Sequence, residues 1–176
     1  MKLHCAPTFF SLVLRALRKY PERTAFRQGE LAVLYQDVID FMGKAQAVLS
    51  SHGMRRGARV ALLTENRYET WCASVAAQGL GAATSWLHPL SSLDSQVSQI
   101  RDVGATVLII DTDGFKARAH ELAAALPDVS VFHVGEAGPG ADLLTLVAEH
   151  EQVQPIERAI ATDIGTLNFT GGTTGR

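Results

Sequence analysis

A chain of 176 residues is the length of one ordinary domain and can bury a sizeable core. With 47 % hydrophobic and 19 % charged residues it has too much apolar surface for a disordered protein. A net charge of -2 and a pI near 6.3 offer no global attraction to polyanions, which argues against nucleic acid or an anionic membrane surface as principal partner.

In chain order, Thr8 is placed to cap a helix running to about Lys19, with Phe9, Leu12, Leu14 and Ala16 as its apolar side and Pro21 as its stop. Thr24–Arg27 and Leu31–Tyr35, divided by Gln28-Gly-Glu30, read as the two strands of a hairpin. Val38, Phe41, Met42, Ala45, Val48 and Leu49 then recur at helical spacing up to Gly53.

From there the pattern is one of repeated strand–helix units. Arg59–Leu63 is a strand, and a helix follows from about Tyr68 to Gln78, closed by Gly79. Asn66 is in place to cap that helix. Gly81–Ser85 is a short strand, Leu87–Leu90 a loop, and Ser92 caps a helix carrying Leu93, Val97 and Ile100. Thr106–Ile110 is a continuous apolar run, the mark of a strand covered on both faces.

A helix from Gly114 to Leu126 and a strand Val129–His133 complete a further unit. Gly135–Gly140 reads as a flexible connector within a domain, and Leu143–Ala148 as a short helix. After Pro155 the sequence predicts a strand Ile164–Phe169 and then the run Thr170–Gly175. This alternation predicts an α/β fold, a largely parallel sheet layered with helices, because parallel strands require crossovers. The loop after the last strand is then expected at a carboxyl end, where such sheets bind ligands.

Thr170, Gly171, Gly172, Thr173, Thr174 and Gly175 combine a backbone that turns sharply with N–H groups and hydroxyls that can donate to oxyanions. Composition alone leaves two readings, a phosphate-binding loop or a flexible tail. The run is not a Walker A loop, which needs Lys and then Ser or Thr after its last glycine, and it does not match the Rossmann glycine pattern.

Leu167-Asn-Phe-Thr-Gly-Gly-Thr-Thr-Gly-Arg176 resembles the phosphate-loop motif of the adenylate-forming superfamily of acyl-CoA synthetases, luciferase and adenylation domains. Gly171 stands where a hydroxyl residue is usual, a form familiar in fatty-acid-CoA ligases. The likeness continues upstream in the family's order. Tyr20–Phe26, Leu31–Asp37, Gly57–Asn66, Gly79–Thr84, Leu87–Leu90 and Gly104–Ile109 are each similar to a family segment.

The resemblance implies that residues 1–176 are the N-terminal portion of an AMP-binding domain, the remainder of the large domain and the C-terminal domain lying beyond them. It implies two half-reactions: a carboxylate attacks the α-phosphate of ATP to give an acyl-adenylate and pyrophosphate, and coenzyme A then takes the acyl group. ATP, Mg²⁺ and coenzyme A are the implied co-substrates and cofactor. Thr170–Gly175 would cradle the β- and γ-phosphates, with no residue of this chain expected to transfer protons and no metal ligand assigned. The 176 residues alone are expected to be inactive and to self-associate through uncovered apolar surface. The alternatives are an aryl or amino-acid adenylating relative, or a non-catalytic module that binds nucleotide or a partner.

The other tempting residues have plainer readings. Cys5 and Cys72 are too few for a disulfide framework and suit a reducing, cytoplasmic setting, and no apolar run reaches membrane-spanning length. His88 reads as a loop residue, Trp71 and Trp86 as core, and Arg55, Arg56 and Arg59 as a solvated basic turn.

Overall fold

The computed structural model describes residues 7–169. Helix α1 (Phe9–Lys19) starts where Thr8 accepts the Ser11 N–H through its hydroxyl at 3.1 Å. Its buried stripe is Phe10, Leu14 and Leu17, spaced i, i+4, i+7, and Phe9, Leu12 and Ala16 lie exposed, contrary to the side expected. Strands β1 (Thr24–Gln28) and β2 (Leu31–Leu34) form the expected antiparallel hairpin. Tyr35 opens α2 (Tyr35–Ser51) instead of closing β2, because the Asp37 carboxylate accepts the Leu34 N–H at 2.8 Å and starts the helix there.

Next come β3 (Arg59–Leu63), α3 (Tyr68–Gly79), β4 (Ala83–Trp86), α4 (Leu93–Val103), β5 (Val107–Asp111), α5 (Thr112–Ala125) and β6 (Ser130–Val134). They are followed by a two-residue strand β7 (Ala141–Asp142) and α6 (Leu143–Glu149). Ser92 caps α4 as expected, and Gly104 closes it in the left-handed conformation. The cap of α3 is Arg67 and not Asn66, so the helix begins one residue later than the asparagine would place it.

The main sheet has the order β4-β3-β5-β6-β7 and every pair in it is parallel. Alternation along the strands sends Val60, Leu62, Val107, Ile109, Phe132 and Val134 into a core shared with α1, α2, α3 and α6. Ala61, Leu63, Leu108 and Ile110 face the other way, against α4 and α5. Burying each such aliphatic side chain contributes about 2 kcal/mol, so coverage of both faces is the main source of stability.

The expected strand Ile164–Phe169 is a single parallel bridge, Thr166 to Thr84. Thr84 N–H donates to the Gly165 carbonyl at 3.0 Å, and Leu167 N–H to the Thr84 carbonyl at 2.9 Å. Glycine and asparagine on either side of this short stretch are poor strand formers, which fits its failure to extend.

Between α6 and the bridge, residues 150–163 cross α2 and α3 without helix or strand. Gln46 holds this strap at Ile156, Gly79 accepts the Arg158 and Ala159 N–H groups, and Arg56 holds Asp163. Among the described residues no helix is long and apolar enough to cross a membrane.

Candidate functional site

The carboxyl edge of a parallel sheet is where ligands are expected, and here its polar groups fall into two regions. At the β3–β5–β6 corner the chain closes on itself. Arg67, just past β3, donates through Nη1 to Asp113 and to Asp111 (3.4 Å), with Glu69 beside it at 3.6 Å. Asp111 is buried at the end of β5 and also accepts the Asp113 N–H at 3.0 Å. Thr112 donates to the Val134 carbonyl at 3.0 Å, and Glu136 N–H donates to Asp113 at 2.8 Å.

Two ionisations follow from this packing. Burial works against the Arg67 charge, but Glu69 and Asp111 outweigh it and raise the guanidinium pKa. The Glu136 N–H, with the Arg67 guanidinium behind it, holds the Asp113 carboxyl below the usual carboxylate range. Glu69, Asp111, Asp113 and Glu136 outnumber Arg67 and Lys116 here, so the corner carries excess negative charge and disfavours phosphate.

The β3–β4 side is more open. Trp86 ends β4 with 40 % of its surface exposed, against the expectation of a core tryptophan. Trp71 is partly buried and packs against the core, edge-on to Phe26 at 5.4 Å. His88 is an exposed loop residue whose Nδ1 accepts the Leu90 N–H at 3.2 Å. The turn is fastened from below: Gln96, fully buried on α4, donates to the His88 carbonyl at 3.0 Å and accepts from Arg118 at 2.6 Å. Ser85 on β4 and Thr64 after β3 carry buried hydroxyls without a partner among the described residues.

Thr170, Gly171, Gly172, Thr173, Thr174 and Gly175 lie outside the described residues. The expected placement of that loop at a carboxyl end falls with them outside the described residues. After the bridge at Thr166, Asn168 and Phe169 line a cavity of about 310 Å³ with Arg59, Asp102 and Val103, where β3 begins and α4 ends.

The basic trio is exposed, as a solvated turn would be, but each side chain is anchored. Arg55 donates to the Ser50 and Met54 carbonyls, Arg59 to the Val103 carbonyl at 2.6 Å, and Arg56 forms a bidentate pair with Asp163. The sequence gives no sign of the Arg59 and Arg56 anchors, because their partners are a carbonyl 44 residues away and a carboxylate 107 residues away. The Arg67 cluster had one available signal, an aspartate directly after the apolar run of β5. Among the described residues no group of three or more His, Cys, Asp or Glu side chains is arranged to hold a metal ion.

Comparison with known proteins bears on the whole chain. Residues 13–176 match the family described as AMP-binding enzyme. The long-chain-fatty-acid–CoA ligase FadD15 of Mycobacterium tuberculosis is 32 % identical over 135 residues, 73 % of this chain and 22 % of that one. The 2-succinylbenzoate–CoA ligase of Bacillus velezensis is 29 % identical over 157 residues, 89 % of this chain and 29 % of that one. The apo structure of Mycobacterium smegmatis MbtA superposes with a TM-score of 0.84 at 23 % identity, over 97 % of this chain and 33 % of that one. The chain thus spans a third or less of the length of each of these proteins.

Proposed function

We propose, since this chain belongs to the AMP-binding enzyme family, that it is part of an ATP-dependent ligase that activates a carboxylic acid as its adenylate and passes the acyl group to coenzyme A. The observation that carries the proposal is the family match over residues 13–176, which takes in Thr170–Gly175 as well as the sheet. Both curated relatives described above bear the name of a CoA ligase, one for long-chain fatty acids and one for 2-succinylbenzoate. Gly171 in the loop favours the fatty-acid side of that division.

In this reading Thr170, Gly171, Gly172, Thr173, Thr174 and Gly175 bind the β- and γ-phosphates through backbone N–H groups and hydroxyls. Negative charge moves onto the departing pyrophosphate as the carboxylate attacks the α-phosphorus. Donors fixed at that position stabilise the transition state more than the ground state. Mg²⁺, when bound, would supply further positive charge there, and the described residues provide no ligand set for it. The sheet acts as the rigid base from which the loop is held.

The test is ATP–pyrophosphate exchange by the protein that carries this sequence in its natural chain, with saturated fatty acids, benzoates and amino acids offered in turn. Exchange that is fastest with fatty acids is the expected result. Exchange with benzoates or amino acids alone would move the protein to the aryl or amino-acid branch, and no exchange with any acid would overturn the ligase reading. The 176-residue chain, which covers 22 to 29 % of the curated relatives described above, is expected to give no exchange by itself.

A further inference from the structure

Three parallel segments begin side by side at the amino end of the sheet: β3, β4 and the bridge at Thr166. The turns that lead into them are tied together. Gly57 N–H donates to the Gly81 carbonyl at 2.8 Å, joining the turn before β3 to the turn before β4. Gly81 has φ +83°, and a Cβ on it would stand 2.6 Å from the Arg56 Cγ and 3.1 Å from the Asp163 carboxylate. Over that bare backbone Arg56 reaches Asp163, donating through Nε at 2.9 Å and through Nη2 at 2.7 Å. Asp163 also accepts the Ile160 N–H at 2.9 Å, so its own turn is closed as well.

We propose that Arg56 and Asp163 are positioning residues for the glycine–threonine run. Their ion pair sets the register in which Gly165–Leu167 lies along β4, and so the point from which Thr170–Gly175 departs. This deepens the phosphate-site reading and rests on it. The register matters because side chains alternate: a slip of one residue would exchange the faces of Thr166 and Leu167. Leu167 would then leave the apolar layer it shares with α4 and α5. The bridge is held by its two main-chain hydrogen bonds, by Thr84 Oγ1, which donates to the Gly165 carbonyl at 3.3 Å, and weakly by Gln78 Nε2 at 3.5 Å from Thr166 Oγ1; the next fixed point upstream is Asp163, two residues before Gly165. Neither Arg56 nor Asp163 is required to touch the nucleotide.

The experiment uses the natural chain that carries this sequence and three variants of it: Arg56→Ala, Asp163→Ala and the exchanged pair Arg56→Asp/Asp163→Arg. Amide hydrogen exchange is followed at Leu167 and Thr84, with Ile109 in the central strand as reference, and ATP binding is measured by calorimetry. Each single variant should speed exchange at Leu167 about fivefold with Ile109 unchanged, and the exchanged pair should restore it. ATP affinity should fall about fivefold in the single variants and recover in the exchanged pair.

Leu167 and Ile109 accelerating together would reduce the pair to general stability and overturn the proposal. Unchanged exchange at Leu167 in the single variants would do the same. A parent chain that fails to bind ATP would count against the phosphate-site reading alone, and the exchange rates would still decide the claim about register.

Discussion

Gln46 on α2 holds Ile156 as a neighbouring strand would: its Nε2 donates to the Ile156 carbonyl at 2.9 Å and its Oε1 accepts the Ile156 N–H at 2.8 Å. One side-chain amide thereby satisfies both main-chain groups of a residue 110 positions away, and Nε2 also reaches the Ala76 carbonyl at 3.2 Å. Gln46→Leu keeps the volume and removes every one of these bonds. It should destabilise the chain by about 2 kcal/mol, read as a lower urea midpoint at unchanged slope.

Gly43 marks the closest approach of the strap to α2. A Cβ there would lie 1.9 Å from the Val153 carbonyl oxygen, which is backbone and cannot swing aside. Gly43→Ala should cost about 2 kcal/mol despite the better helix propensity of alanine, and should expose the Val153 amide to solvent exchange. A stabilised protein would show that the strap detaches without loss.

Arg67 neutralises a buried carboxylate, Asp111, at the carboxyl edge. Arg67→Leu leaves that charge without its cation and should cost about 3 kcal/mol by chemical denaturation. Arg67→Leu with Asp111→Asn should recover more than half of the loss, since the isolated charge is removed along with its partner.

The Asp163 carboxyl is held below its ordinary value, first by the Arg56 hydrogen bonds and then by the Ile160 N–H. A depressed folded-state pKa stabilises the fold above the unfolded value of about 3.9. That contribution is lost as pH falls through the lower folded value. Following the Asp163 carboxyl carbon by NMR should give a midpoint below that of an exposed aspartate, and Arg56→Ala should move it upward.

Cys72 sits fully buried in α3, where desolvation, with Glu69 behind it, pushes the thiol far up its scale. Iodoacetamide at pH 8 should leave the Cys72 peptide unmodified in the folded chain and alkylate it in urea. Mass spectrometry of that peptide distinguishes the two states, and rapid labelling without denaturant would show that α3 opens.

The parts legible in the sequence were those fixed by local rules. The apolar run of β5 demands cover on both faces wherever it folds, and the caps at Thr8 and Ser92 act within three residues of themselves. What escaped was decided at long range. The apolar side of α1 turned out to be Phe10–Leu14–Leu17 because those residues face Gly79 and the α2 helix, which no periodicity within α1 reveals. Strand β7 is two residues long and owes its existence to β6, so it carries no pattern of its own. The strand foreseen at Ile164–Phe169 had a hydrophobic rhythm and only one neighbour to pair with. For the candidate site, the motif Thr170–Gly175 was visible as composition, whereas Arg56, Gly81 and Asp163 come together only through the order of three parallel segments.

The two borders of the main sheet are unequal in what they can accept. Beyond β6 the ladder stops after Ala141 and Asp142, and the Asp142 side chain at once caps α6, which turns the backbone away from further pairing. On the opposite border β4 alternates: Ala83 turns its N–H inward to the Ala58 carbonyl, while Thr84 turns both main-chain groups outward to Gly165 and Leu167. The sheet is thus closed by the start of a helix on one border and continued by Gly165–Leu167 on the other, so its two borders are not interchangeable.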